Sequence, residues 1–106
     1  MVLEFIREEK EKFEKNKEKY LESISKVARK YGIKAYVFGS RIKNQSISSS
    51  DLDILLVIPK NLWKERWKIY DEVKRACEDN IFVEIHIVSE EVFEEMKNIY
   101  GKLVKL

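Results

Sequence analysis

Apolar positions along the chain change their period repeatedly, and each change marks an element. Residues 3–31 hold no glycine or proline, and Ile6, Phe13, Tyr20 and Val27 recur every seven residues, which predicts one long helix. Leu21, Ile24, Ala28 and Tyr31 widen the apolar stripe in the second half, while Lys10 and Lys17 interrupt it in the first. Gly32 follows Tyr31 and suits a left-handed cap. At about 1.5 Å per residue such a helix runs to about 40 Å, more than a domain of this length covers. Residues 1–24 therefore read either as a solvated extension laced with i,i+4 ion pairs or as an arm that docks on a partner chain. The seam of Ile6 and Phe13 is the expected docking edge, with Val2, Leu3 and Phe5 enlarging it.

Beyond Gly32 the runs shorten. Lys34 to Phe38 predicts a strand, and Arg41 to Ser50 is polar, its Ser48-Ser49-Ser50 run suiting a turn. Asp51 to Ile58 predicts a second strand whose unbroken apolar stretch, Ile54 to Ile58, implies burial on both faces. Pro59 ends it, and Asn61 is placed to cap a helix over Leu62 to Glu78. Asp79-Asn80 turns into a third strand, Ile81 to Val88. Ser89 caps a last helix that begins at Glu90, with Val92, Phe93, Met96, Ile99 and Tyr100 facing inward and Gly101 ending or bending it. The expectation is an α/β (α+β) fold, a small mixed sheet of about three strands flanked by helices, in the order α-β-β-α-β-α. A helical crossover makes strands two and three parallel neighbours. The shorter loop allows strands one and two to pair antiparallel.

Composition narrows the function classes. The length of 106 residues suits one domain, 1–106, and 44% hydrophobic residues exclude disorder by composition. With 21 basic against 19 acidic residues the charge is nearly balanced, which argues against a dedicated nucleic-acid binder. Cys77 is the single cysteine, so neither a disulfide framework nor a cysteine zinc site is expected, and it reads as a small buried hydrophobe. No stretch is apolar enough to span a bilayer, and the Glu/Lys-rich start is no signal peptide, so a cytoplasmic location is expected.

The chemistry concentrates between Phe38 and Asp53. Antiparallel pairing brings Gly39-Ser40, after the first strand, beside Asp51 and Asp53 at the head of the second. Alternation puts both aspartates on one face, where their repulsion calls for a cation. Gly39 permits a close backbone approach, and Ser40 adds a hydroxyl and exposed N–H groups suited to phosphate, with Arg41 and Lys43 as nearby cations. Glu84 lies in the strand beside them, sharing a face with Phe82 and His86, and reads as a third carboxylate. Three carboxylates suit two Mg²⁺ ions. His86, the only histidine, reads first as a rim residue held by a hydrogen bond and second as a further metal ligand or base, and Trp63 and Trp67 read as a helix stripe rather than a base-stacking platform.

Gly39-Ser40 followed at this spacing by Asp51-Leu52-Asp53 resembles the signature of the DNA polymerase β-like nucleotidyltransferases, specifically the minimal nucleotidyltransferases. The resemblance covers the chain from about residue 25 onward. It implies the palm-like nucleotidyltransferase fold and ATP as substrate. Asp51, Asp53 and Glu84 would be the metal-binding and catalytic residues, and Gly39, Ser40, Arg41, Lys43 and Ser50 would contact the nucleotide. It further implies AMP transfer to a hydroxyl, as in members that act as antitoxins beside a small helical HEPN protein and modify a tyrosine of it. Relatives often continue Gly-Ser-x-Ala-x-Gly with an arginine before the second glycine; here Lys43 and Asn44 stand in those places. That departure supports an alternative, a binding module that neutralises a HEPN partner by contact alone. A template-free polymerase is disfavoured by the balanced charge. Homo- or hetero-oligomerisation through the first helix is the remaining partner expectation.

Overall fold

The structure, a computed structural model, describes residues 2–38 and 52–106. Gly39, Ser40, Arg41, Lys43, Ser50 and Asp51 lie outside the described residues. The chain begins with α1 (Val2–Tyr31) and β1 (Lys34–Phe38), then continues with β2 (Leu52–Ile58). A 3-10 helix (Lys60–Glu65) leads into α2 (Arg66–Ala76), followed by β3 (Val83–Ser89), α3 (Glu90–Met96) and β4 (Leu103–Lys105). The sheet order is β3-β2-β1-β4, with β2 and β3 parallel and β1 antiparallel to both of its neighbours. The mixed α/β architecture and the strand pairings agree with the reading above, and a fourth strand joins the expected three.

α1 ends where a left-handed residue is needed. Gly32 takes φ +68°, its N–H bonds the carbonyl of Arg29, and the N–H of Ile33 bonds that of Ala28, the paired closure that satisfies a helix's last carbonyls. Along α1 the buried residues are Glu9, Phe13, Tyr20, Ile24 and Ala28, one continuous face at helical spacing. Phe13 is 2% exposed and lies 6.1 Å from the Phe82 ring, so it belongs to the domain's own core. The expectation that Phe13 docks on a partner is thereby corrected. What escaped the sequence reading was how Lys10 and Lys17 complete the stripe. Their ammonium groups sit over the Phe13 ring, Lys10 also over Phe82, at 5.0–5.7 Å from the ring centres. Of the large hydrophobic residues on this segment, Val2, Leu3, Phe5 and Ile6 remain exposed.

α1 and α2 cover one face of the sheet. Tyr20, Ile24 and Ala28 from α1 and Ile69 and Val73 from α2 pack on Ile54, Leu56 and Ile58 of β2 and Val83 and Ile85 of β3. The opposite face carries Leu55, Val57 and Val88 under Phe93 of α3, with Tyr36, Phe38, Tyr100 and Leu103 alongside. Because β2 is central, its run from Ile54 to Ile58 is apolar and buried on both faces.

The helices after Pro59 and Ser89 differ in extent from expectation, and the C-terminal segment adds a strand. The segment after Pro59 winds as a 3-10 helix before α2, and no side chain caps either helix, Asn61 included. α3 stops at Met96; Phe93 is buried, but Val92, Met96 and Ile99 are exposed, with Ile99 at 72%. The Ser89 hydroxyl does accept the N–H of Val92, as a cap should. Beyond Gly101, at φ +78°, the chain returns as β4 along the open edge of β1, and Leu106 donates to the Ala35 carbonyl. Among the described residues no helix is long and apolar enough to cross a membrane.

Candidate metal centre

One row across the sheet carries the chemistry: Phe38 pairs with Asp53, and Asp53 pairs with Glu84. Paired residues of adjacent strands share a face, so both carboxylates stand on the face opposite α1 and α2. His86, two residues beyond Glu84 and opposite Leu55, points to the same side. Its Nε2 lies 3.6 Å from Asp53 Oδ1 and 3.9 Å from Glu84 Oε2. Asp53, Glu84 and His86 offer ligand atoms that all lie within 4.8 Å of one another. Burial grades across the group, from Asp53 with a side chain 20% exposed to Glu84 at 56%. The group thus forms a shallow site, closed at Asp53 and open at Glu84.

Two buried anchors hold Glu84 and His86 in place. Where β3 begins, Asn80 is fully buried; its side-chain oxygen accepts the N–H of Phe82 at 2.9 Å, and its Nδ2 donates to the Glu9 carbonyl at 3.0 Å. The Glu9 carboxylate accepts the N–H of Ile81 at 3.0 Å. The first half of α1 therefore sets where β3 starts and hence the register of Glu84. Phe82 precedes the first residue of β3 and turns toward Phe13, so it does not share the face of Glu84 and His86 as alternation had implied. On the other side the Phe38 ring meets His86 edge-on, with centres 5.2 Å apart, and the Tyr100 ring meets Phe38 in the same way.

His86 Nε2 is buried and has no hydrogen-bond partner among the described residues. Both carboxylate contacts exceed hydrogen-bonding distance and become ion pairs only when the imidazole is protonated. The expected hydrogen bond at the rim is thus replaced by a nitrogen aimed at two carboxylates. Left unfilled, such a buried polar atom costs about 1–3 kcal/mol. Two oxygen donors and one nitrogen donor converging this closely fit a divalent cation. The signal was present in sequence, since Glu84 and His86 alternate just as Asp51 and Asp53 do. What sequence lacked was the parallel register that sets Asp53 beside them.

A separate open concavity of about 640 Å³ lies at the far end of β2 and β3, lined by Lys60, Trp63, Lys64, Ser89, Glu90 and Glu91. It shares no residue with the carboxylate group.

A small mixed sheet with α1 and α2 on one face, and α3 and the converging carboxylates on the other, defines an α/β protein built around a candidate cation centre. Residues 22–104 match the family model described as Polymerase beta, Nucleotidyltransferase, and the chain belongs to that family. Its fold is the nucleotidyltransferase fold and its activity class is nucleotidyl transfer. Comparison with curated proteins and comparison with solved structures each returned no match.

Proposed function

We propose that the protein is a Mg²⁺-dependent enzyme that transfers AMP from ATP to a hydroxyl of a partner protein, a helical HEPN-type protein whose toxicity it restrains. The observation that carries the reading is the register Phe38–Asp53–Glu84, which converges two carboxylates at the strand end following Gly39-Ser40 in a chain of the nucleotidyltransferase family. The protein acceptor and the HEPN partner rest on the resemblance of the Gly39-Ser40 and Asp51-Leu52-Asp53 pattern to minimal nucleotidyltransferases.

In this reading Asp51, Asp53 and Glu84 hold two Mg²⁺ ions, which would neutralise triphosphate charge when bound. Gly39, Ser40 and Ser50 supply backbone and hydroxyl donors to the phosphates, and Arg41 and Lys43 add positive charge. The acceptor oxygen bonds to the α-phosphorus, the bond from that phosphorus to the bridging oxygen breaks, and pyrophosphate leaves. Glu84, the more exposed carboxylate, takes the hydroxyl proton. Orientation of the two reactants supplies most of the acceleration, since phosphoryl chemistry needs little else from side chains.

The test is label transfer from [α-³²P]ATP to a candidate helical HEPN-type protein, with Mg²⁺ present. Labelling by the wild type, and a loss of about 100-fold or more in Asp53→Ala, is the expected outcome. An Asp53→Ala protein that labels at the wild-type rate would place the chemistry elsewhere. A second reading, neutralisation by contact without transfer, is favoured by Lys43 and Asn44 in place of the family's Arg-Gly. Tight binding of the partner with no label in it would select that reading.

A further inference from the structure

The family membership accounts for carboxylates at this site but not for the imidazole that faces them. We propose that His86 Nε2 is itself a metal ligand in this protein. The centre would then take a divalent transition ion such as Mn²⁺ in preference to Mg²⁺. The inference rests on the cation-binding reading of Asp53 and Glu84 and adds a donor to it.

Three observations point the same way. Nε2 is buried and unpartnered among the described residues, and it faces Asp53 Oδ1 and Glu84 Oε2 at 3.6 and 3.9 Å. Donors about 2.1 Å from a shared ion stand about 3.0–3.5 Å from one another, so the His86 contacts at 3.6 and 3.9 Å are up to about 0.9 Å wider than in a filled coordination sphere, within a group that spans no more than 4.8 Å. Glu84, with more than half its side chain exposed, has room to close that gap. The ring does not depend on the ion for its orientation, because the Phe38 edge contact and the strand alternation from Glu84 already aim it.

Donor chemistry decides which ion gains. Mg²⁺ demands octahedral oxygen coordination and gives up water reluctantly, so an imidazole contributes little to holding it. Nitrogen donors raise affinity along the series from Mn²⁺ toward Co²⁺ and Zn²⁺. Mg²⁺ still binds through the carboxylates, while Mn²⁺ uses all three groups. A histidine acting only as a proton acceptor or as an ion-pair partner of Asp53 confers no such preference.

His86 is the only histidine in the chain, so an imidazole coupling needs no further assignment. Mn²⁺ added to the untagged full-length protein, without nucleotide, is examined by electron spin-echo spectroscopy. Bound Mn²⁺ should show ¹⁴N modulation from a directly coordinated imidazole, and His86→Gln should lose it. In competition titrations the preference for Mn²⁺ over Mg²⁺ should fall by about 10-fold or more in His86→Gln. Bound Mn²⁺ without ¹⁴N coupling in the wild type overturns the assignment of His86 and leaves the carboxylate site standing. Mn²⁺ that stays in its aqueous form overturns both. The wild-type spectrum decides the matter even if the variant fails to fold.

Discussion

At the scale of single residues the site is a balance of like charges. Asp53 and Glu84 are opposite one another in register, and their oxygens fall within the 4.8 Å group. In metal-free protein this proximity opposes folding, and His86, when protonated, is one partner that offsets it. Asp53→Asn, in chelator and above the titration range of histidine, should raise the melting temperature by about 2–4 °C, corresponding to about 0.5 kcal/mol. With saturating Mn²⁺ the order should reverse, because ligand binding stabilises only the protein that retains the carboxylate. Differential scanning calorimetry under both conditions checks the pair of signs. A melting temperature that falls in chelator would give Asp53 a structural role instead.

At the scale of elements, α1 decides more than its sequence suggested. Its first half anchors the turn before β3 through Glu9 and closes the core with Phe13, while only its first two turns project. Phe13→Ala should therefore cost about 3–5 kcal/mol, the range for removing a buried aromatic ring. Phe5→Ala, at a residue 50% exposed, should stay within about 0.5 kcal/mol. Urea titration of both variants separates core from projection. If Phe13→Ala leaves the midpoint unchanged, the helix does not pack as described. Partner docking, if it uses α1 at all, is left to the exposed cluster of Val2, Leu3, Phe5 and Ile6.

At the scale of the whole molecule, three of the four shifted titrations make alkali destabilising. Burial pushes the Cys77 thiol up to about 12, and nearby Asp79 and Glu78 add to the shift. Tyr20 is raised by burial and then by donating to the Glu78 carboxylate; Tyr31 is raised by donating to Glu72. Each group keeps its proton longer in the folded state than in the unfolded chain, where thiols ionise near about 8.5 and phenols near about 10. The stability they contribute is complete below those values and is lost as pH rises toward the folded ones. The urea midpoint should hold steady from pH 7 to 8.5 and fall progressively by pH 11, and Cys77→Ala should flatten the early part of that fall. On the acid side Glu72 is lowered by the Tyr31 hydroxyl and then by Lys30, so its contribution fades as pH drops below the ordinary carboxylate range. A midpoint that rises above pH 9 would contradict this account.

Local periodicity determined most of the elements. Helix and strand runs, the cap at Gly32, the cap at Ser89 and the alternation of Glu84 with His86 are short-range properties, read within a few residues. Alternation also let the site residues be named, though Gly39, Ser40 and Asp51 lie outside the described residues. Long-range pairing decided the rest. Leu103–Lys105 is too short to show a period and becomes a strand because β1 offers an open edge. Phe13 read as a docking edge on a charged helix until Phe82, distant in sequence, was brought to meet it under the stems of Lys10 and Lys17. The parallel pairing of β2 with β3 set His86 Nε2 against Asp53, for a one-residue slip of β3 would have turned His86 to the face opposite Asp53.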